Sequence, residues 1–143
     1  YISKRVVRMR KKAAITMAFA IIVLTAGVMI SRGKMPYKPY KDLKASDIVS
    51  ATVYFLPPDK TVQITDVEEL VSCLGEVTIY NEDSSYNDYC GQTVLFTLTM
   101  ADGTQEEITA FNPFLIINGV GYKAKYEPCE RLSRYANQLL SAG

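Results

Sequence analysis

The chain contains no histidine and no tryptophan. Without His it lacks the commonest general base and the commonest metal ligand. Neither a Ser-His-Asp triad nor a His-Glu-x-x-His zinc site can be built from these residues alone. Cysteine is scarce, at three residues. A zinc site would need all three plus a carboxylate across wide spacings, so no metal and no cofactor are expected. Each part of the chain is also poor in charge of one sign. Residues 1–44 hold 11 Lys or Arg and a single acid, Asp42, whereas residues 45–143 hold 14 Asp or Glu and five cations. The nets, +10 and −9, combine to the chain's +1. A hydrophobic content of 48% excludes a wholly disordered chain, and 143 residues suit one domain of ordinary size.

Residues 13–30 (AAITMAFAIIVLTAGVMI) carry no charge. As a helix this run would be about 27 Å long, close to the hydrocarbon thickness of a bilayer. Six cations precede it within residues 1–12 (Lys4, Arg5, Arg8, Arg10, Lys11 and Lys12). That flank is denser than the basic stretch that follows the run. The positive-inside rule then predicts a transmembrane helix with its N-terminus in the cytoplasm and residues 45–143 outside the cell membrane. A cleaved signal peptide and a buried soluble helix are the competing readings. Leu24-Thr25-Ala26-Gly27 is a poor cleavage site, and no Cys follows it to mark a lipoprotein. Beside a membrane helix, the basic flank reads as a topogenic, anionic-lipid patch, and no nucleic-acid partner is expected. Residues 31–44 read as a basic tether, with Pro36 and Pro39 holding it extended and Tyr37 and Tyr40 suited to the headgroup zone. Ser31-Arg32-Gly33-Lys34 matches the Ser-x-x-Lys acylation motif, but with no later Lys-Thr-Gly it is a coincidence.

Beyond residue 44 the pattern predicts an α+β domain. Val49, Ala51, Val53 and Phe55 alternate as on one face of a strand, and Pro57-Pro58-Asp59-Lys60 turns the chain into residues 61–64. Thr65 and Glu68 form a capping box ahead of the stripe Val67, Leu70, Val71 and Leu74, with Gly75 as the stop. The clearest strand is 93–100, with Val94, Phe96, Leu98 and Met100 on one face and Thr93, Thr97 and Thr99 on the other. Asp102-Gly103 and Asn118-Gly119 are hairpin turns. Leu132, Tyr135, Ala136, Leu139 and Leu140 stripe a closing helix. The expected order β-β-α-β-β-β-β-β-α suits a two-layer domain, an antiparallel sheet with both helices on one face and the Thr-rich face open to water or a partner.

Three groups of candidate residues follow. Thr93, Thr97 and Thr99, with Tyr86 and Tyr89 from the polar loop 81–90, are the expected contact residues for a partner. Glu82, Asp83 and Asp88 in that loop could offer oxygens to Ca²⁺, although the Asp-x-Asp-x-Asp-Gly pattern is missing. Cys90 and Cys129 are the pair best placed for a disulfide outside the cytoplasm, and three reduced thiols are the alternative. Cys73 reads as a small packing residue.

The run Ile2-Ser3-Lys4-Arg5-Val6-Val7-Arg8-Met9-Arg10-Lys11-Lys12, leading into the apolar span, resembles the end of the membrane metallopeptidase domain of the beta-lactam-sensing antirepressor family. There a similar basic stretch enters the last membrane helix and an extracytoplasmic sensor follows. The resemblance covers about the first 30 residues and fits a first residue that is Tyr, as in the C-terminal part of a longer chain. It implies a non-catalytic sensory or regulatory domain at the end of a signal transducer whose zinc peptidase lies upstream. Residues 45–143 are too few for the acylated penicillin-binding sensor of that family. With Asn112-Pro113-Phe114 and Gly119-Val120-Gly121-Tyr122 they resemble small extracytoplasmic domains of Gram-positive gut bacteria, and no ligand carries over. The alternative is a free-standing single-pass envelope protein that binds a protein or cell-wall partner.

Overall fold

The structure, a computed structural model, describes residues 36–143. The expected span 13–30, the flank 1–12 and the motif at 31–34 lie outside the described residues. Among the described residues no helix is long and apolar enough to cross a membrane.

Seven strands and two helices form an α+β fold in the order the patterning predicts. They are β1 (Ile48–Leu56), β2 (Lys60–Ile64), α1 (Val67–Glu76), β3 (Ile79–Glu82), β4 (Thr93–Met100), β5 (Gln105–Phe111), β6 (Phe114–Ile117), β7 (Val120–Ala124) and α2 (Tyr126–Ala142). All seven strands join one sheet in the order β2-β1-β4-β5-β6-β7-β3, and every neighbouring pair is antiparallel. Turn chemistry sets the hairpins. Gly103 takes φ +88° between β4 and β5, and Asn118 and Gly119 take φ +48° and +84° between β6 and β7. These are left-handed conformations in which Gly and Asn cost least. The Asp102 carboxylate accepts from the Thr104 amide (2.9 Å) and hydroxyl (2.6 Å), which locks the first turn and lowers the Asp102 pKa.

Ala51, Val53 and Phe55 of β1 oppose Leu98, Phe96 and Val94 of β4, and all six are buried. Leu70 and Leu74 of α1 and Leu132, Tyr135 and Ala136 of α2 belong to the same core cluster. Burial of these apolar side chains is the main term holding the layers together.

Three local expectations are corrected. Val49 is 69% exposed while Ile48 is buried, because a bulge between Ile48 and Ser50 shifts the alternation by one residue. The cap of α1 is Asp66, whose carboxylate accepts from the Glu69 amide at 3.1 Å, and the helix passes through Gly75 to Glu76. Asp66 displaces the expected Thr65–Glu68 box because its carboxylate also favours the positive helix N-terminus. The third correction concerns the tether. Residues 36–44 belong to the domain, whose compact unit begins at Pro36. Tyr37 exchanges two backbone hydrogen bonds with Ile79 (2.9 and 2.8 Å), Tyr40 is buried in the core, and Leu43 packs against it. The Tyr40 hydroxyl donates to Glu106 Oε1 at 3.1 Å. Burial first, and then the Glu106 charge, hold its pKa far above the usual phenol range. An apolar ring with one polar tip fits a core boundary as well as a headgroup zone.

Candidate binding surface

Strand alternation divides the sheet into two chemically different faces. One packs on the helices. On the other, register aligns Gln63, Thr52, Thr97 and Glu107 in one row across β2, β1, β4 and β5. The next row runs Thr61, Tyr54, Leu95, Thr109, Ile116 and Gly121. Thr93 and Thr99 lie at the two ends of β4, also on this face. Thr52, Thr93, Thr97, Thr99 and Thr109 are all half-buried, as central-strand residues on an open sheet face are. The Thr hydroxyls that donate hydrogen bonds within the described chain belong to Thr78 and Thr104, both away from this face. The Tyr54 hydroxyl donates to Asp59 Oδ1 at 2.8 Å, which fixes its ring and raises its pKa.

The three expected threonines are therefore brought together, joined by Thr52 and Thr109 from the neighbouring strands. Sequence reasoning missed those two. The alternation of β1 and β5 marks them as outward-facing, but only the pairing of β1 with β4 puts Thr52 opposite Thr97, and only that of β4 with β5 puts Thr109 opposite Leu95, diagonal to Thr97.

Tyr86 and Tyr89 sit elsewhere on the same side of the sheet. Their loop, with a 3-10 turn over Ser85–Asp88, folds over β6 and β7. Both rings pack on Phe114, with centroids 6.4 and 5.6 Å away. Phe114 is 3% exposed yet stands outside the main core, so the two tyrosines are its cover. Tyr86 lies over Gly121, three strands from β4 and so about 14 Å away at ordinary strand spacing. It is a packing residue. Tyr89 remains 61% exposed on the rim. In this loop Asp83 accepts from the Ser85 amide at 2.9 Å, and the Ser85 side chain first and then this amide lower its pKa. No three His, Cys, Asp or Glu side chains converge among the described residues.

The Cys90–Cys129 bond is not formed, and all three cysteines are free thiols. Cys129 is fully buried on α2, with its thiol donating to the Phe114 carbonyl at 3.5 Å, while Cys90 is exposed on the loop. Burial pushes the Cys129 thiol up to about 12 and also raises that of Cys73. A thiol reagent at neutral pH should therefore modify one residue per native chain, Cys90, and all three after denaturation. Intact-mass and peptide analysis would check this. Modification of Cys129 in the native protein would contradict its place in the core.

A cavity of about 220 Å³ lies beside Cys90, lined by Tyr89, Gln92, Phe111, Asn112 and Ser133 among others. Its polar groups are largely committed. Gln92 donates to the Pro57 carbonyl and accepts from Asn137, both at 3.2 Å. Asn112 Nδ2 donates to Glu130 Oε2 at 3.3 Å. Asn112 Oδ1 has no partner but is buried from solvent, and so is shut off from any occupant. Cys90 is hydrogen-bonded to no base. The open face is the better-formed candidate.

No protein-family model, curated protein or solved structure matches this chain.

Proposed function

We propose that residues 36–143 are a non-catalytic sensory or regulatory binding domain, displayed outside the membrane of a Gram-positive bacterium by the span at 13–30. The observation that supports a sensor over a passive anchor is the fastening of its lead. Tyr37 is zipped to the β3 edge, and Tyr40 is sunk in the core with its hydroxyl on Glu106 of β5. Residues 37–40 are thereby fastened to the sheet, so a shift of the sheet on binding would move them with it. The resemblance of residues 2–12 to the membrane metallopeptidase antirepressors points the same way and makes this domain the distal part of a signal transducer. The alternative, a free-standing envelope protein that binds a protein or cell-wall partner, draws on the open hydroxyl-rich face.

Protease added to intact cells carrying the chain should digest the domain and spare the N-terminal end. A domain that survives until lysis would overturn the topology, and turnover on a broad hydrolase substrate panel would overturn the non-catalytic reading.

A further inference from the structure

Resting on the reading of this domain as a binding module, we propose that the open face of β2-β1-β4-β5 binds a neutral polysaccharide strand. Charge is the first argument. Residues 45–143 carry a net of −9, yet across the two rows that cover this floor Glu107 is the one charged side chain. Protein surfaces ordinarily intersperse charges of both signs, and threonine, a good strand former, replaces them here. An anionic polymer would be repelled by the domain as a whole, and a cationic partner would gain more on its acidic remainder. The occupant that suits so sparsely charged a floor, with Glu107 in its row and Asp59 at the Tyr54 hydroxyl, is itself uncharged.

Hydrogen-bonding chemistry is the second argument. Thr52 stands opposite Thr97 on the adjacent strand, about 4.8 Å away. Thr109 lies diagonal to Thr97 on the next strand, opposite Leu95, and Thr97 and Thr99 stand about 6.8 Å apart along β4. Each hydroxyl is both donor and acceptor and donates no hydrogen bond among the described residues. Such a grid matches a ligand whose surface is itself hydroxyls. Tyr54 adds an immobilised ring within it, an apolar plate against which the C–H face of a sugar can lie. A protein interface would be expected to centre on a cluster of apolar and aromatic anchors, and the two rows across β2-β1-β4-β5 offer Tyr54 and Leu95 among four threonines.

The test uses the full chain in a polyoxyethylene detergent, since sugar-headed detergents would compete. Insoluble cellulose and chitin are the neutral probes and sulfated dextran resin is the anionic one. The protein should be retained on at least one neutral polymer, with little change between low and high salt. Retention on the sulfated resin, which the cations of residues 1–44 supply, should be lost at high salt and be the same in the valine variant below. The paired substitution Thr52→Val and Thr97→Val keeps side-chain shape and strand propensity while removing two hydroxyls. It should weaken retention on the neutral polymer about tenfold, the scale of one or two lost hydrogen bonds, with an unchanged circular dichroism spectrum. Retention on neither neutral polymer, equal retention of the valine variant on the neutral polymer, or retention only on the sulfated resin would overturn the proposal. A domain shown to be outside the cell that ignores both neutral polymers would refute this ligand alone. A domain shown to be inside would refute the reading on which it rests.

Discussion

Replacing Phe96 with alanine is expected to cost about 3–5 kcal/mol of folding stability. Phe96 is fully buried at the middle of β4, opposite Val53 on β1 and Ile108 on β5, which are themselves fully buried. Deleting the ring removes its transfer free energy and leaves a cavity that three paired strands cannot close by shifting, since each is pinned by its ladder. Small domains are stable by only about 5–15 kcal/mol, so roughly a fifth or more of the total is at stake. The denaturant midpoint should fall sharply with an unchanged slope. The neighbouring substitution Thr97→Ala lies on the other face and should cost less than about 1 kcal/mol. A large loss at Thr97 and a small one at Phe96 would mean that the two faces of the sheet have been interchanged, and the open-face site would go with them.

That contrast also marks what could be read before any coordinates. The period-two pattern of 93–100 is legible because burial on one face imposes it residue by residue. Gly103, Asn118 and Gly119 are legible because a backbone conformation selects them. What local pattern does not encode is which strand lies beside which. Thr52 and Thr97 are remote in sequence, and their adjacency follows from the β2-β1-β4 order of the finished sheet. The bulge at Ile48/Ser50 is hidden for a related reason. Val49 is apolar, so simple alternation draws it inward, whereas the bulge interrupts the alternation there and leaves this residue exposed.

Residues 36–44 were hidden by composition. Prolines and lysines read as a spacer, and only the sheet edge at β3 reveals why the chain runs close to it. Ile79 presents an unpaired amide and carbonyl there, and Tyr37 satisfies both. Lys38 meets Glu76 at 3.2 Å as a solvated pair worth little by itself. The site was legible to the extent that one strand carries it: Thr93, Thr97 and Thr99 are on the open face as expected. For Tyr86, tyrosine's interface chemistry and its packing chemistry look alike until its neighbour is known, and that neighbour is Phe114 with a glycine beneath.

Gly121→Ala is the second substitution expected to act strongly, at about 3 kcal/mol, although it adds a single methyl group. Gly121 does not have a positive φ, so the strand backbone itself would accept alanine. The obstacle is overhead. An added Cβ would lie 2.6 Å from the Asp83 carbonyl oxygen and closer still to the Tyr86 ring. The ring could swing aside, but the carbonyl belongs to backbone, and Asp83 also donates its amide to the Gly121 carbonyl at 2.9 Å. The loop over β6 and β7 must then lift as a unit, surrendering that bond and uncovering Phe114. Two effects add: overpacking at the strand, and exposure of a large apolar ring that is 3% accessible in the native fold. Limited proteolysis should show new cleavage between residues 83 and 90 under conditions where the parent chain is intact, together with a lower denaturant midpoint. Removing the ring as well, with Tyr86→Ala, should not restore stability, because the carbonyl clash persists and Phe114 loses its cover altogether. If Gly121→Ala instead matched the parent in both measurements, the loop would not be seated on β7, and the boundary it gives the threonine floor would have to be redrawn.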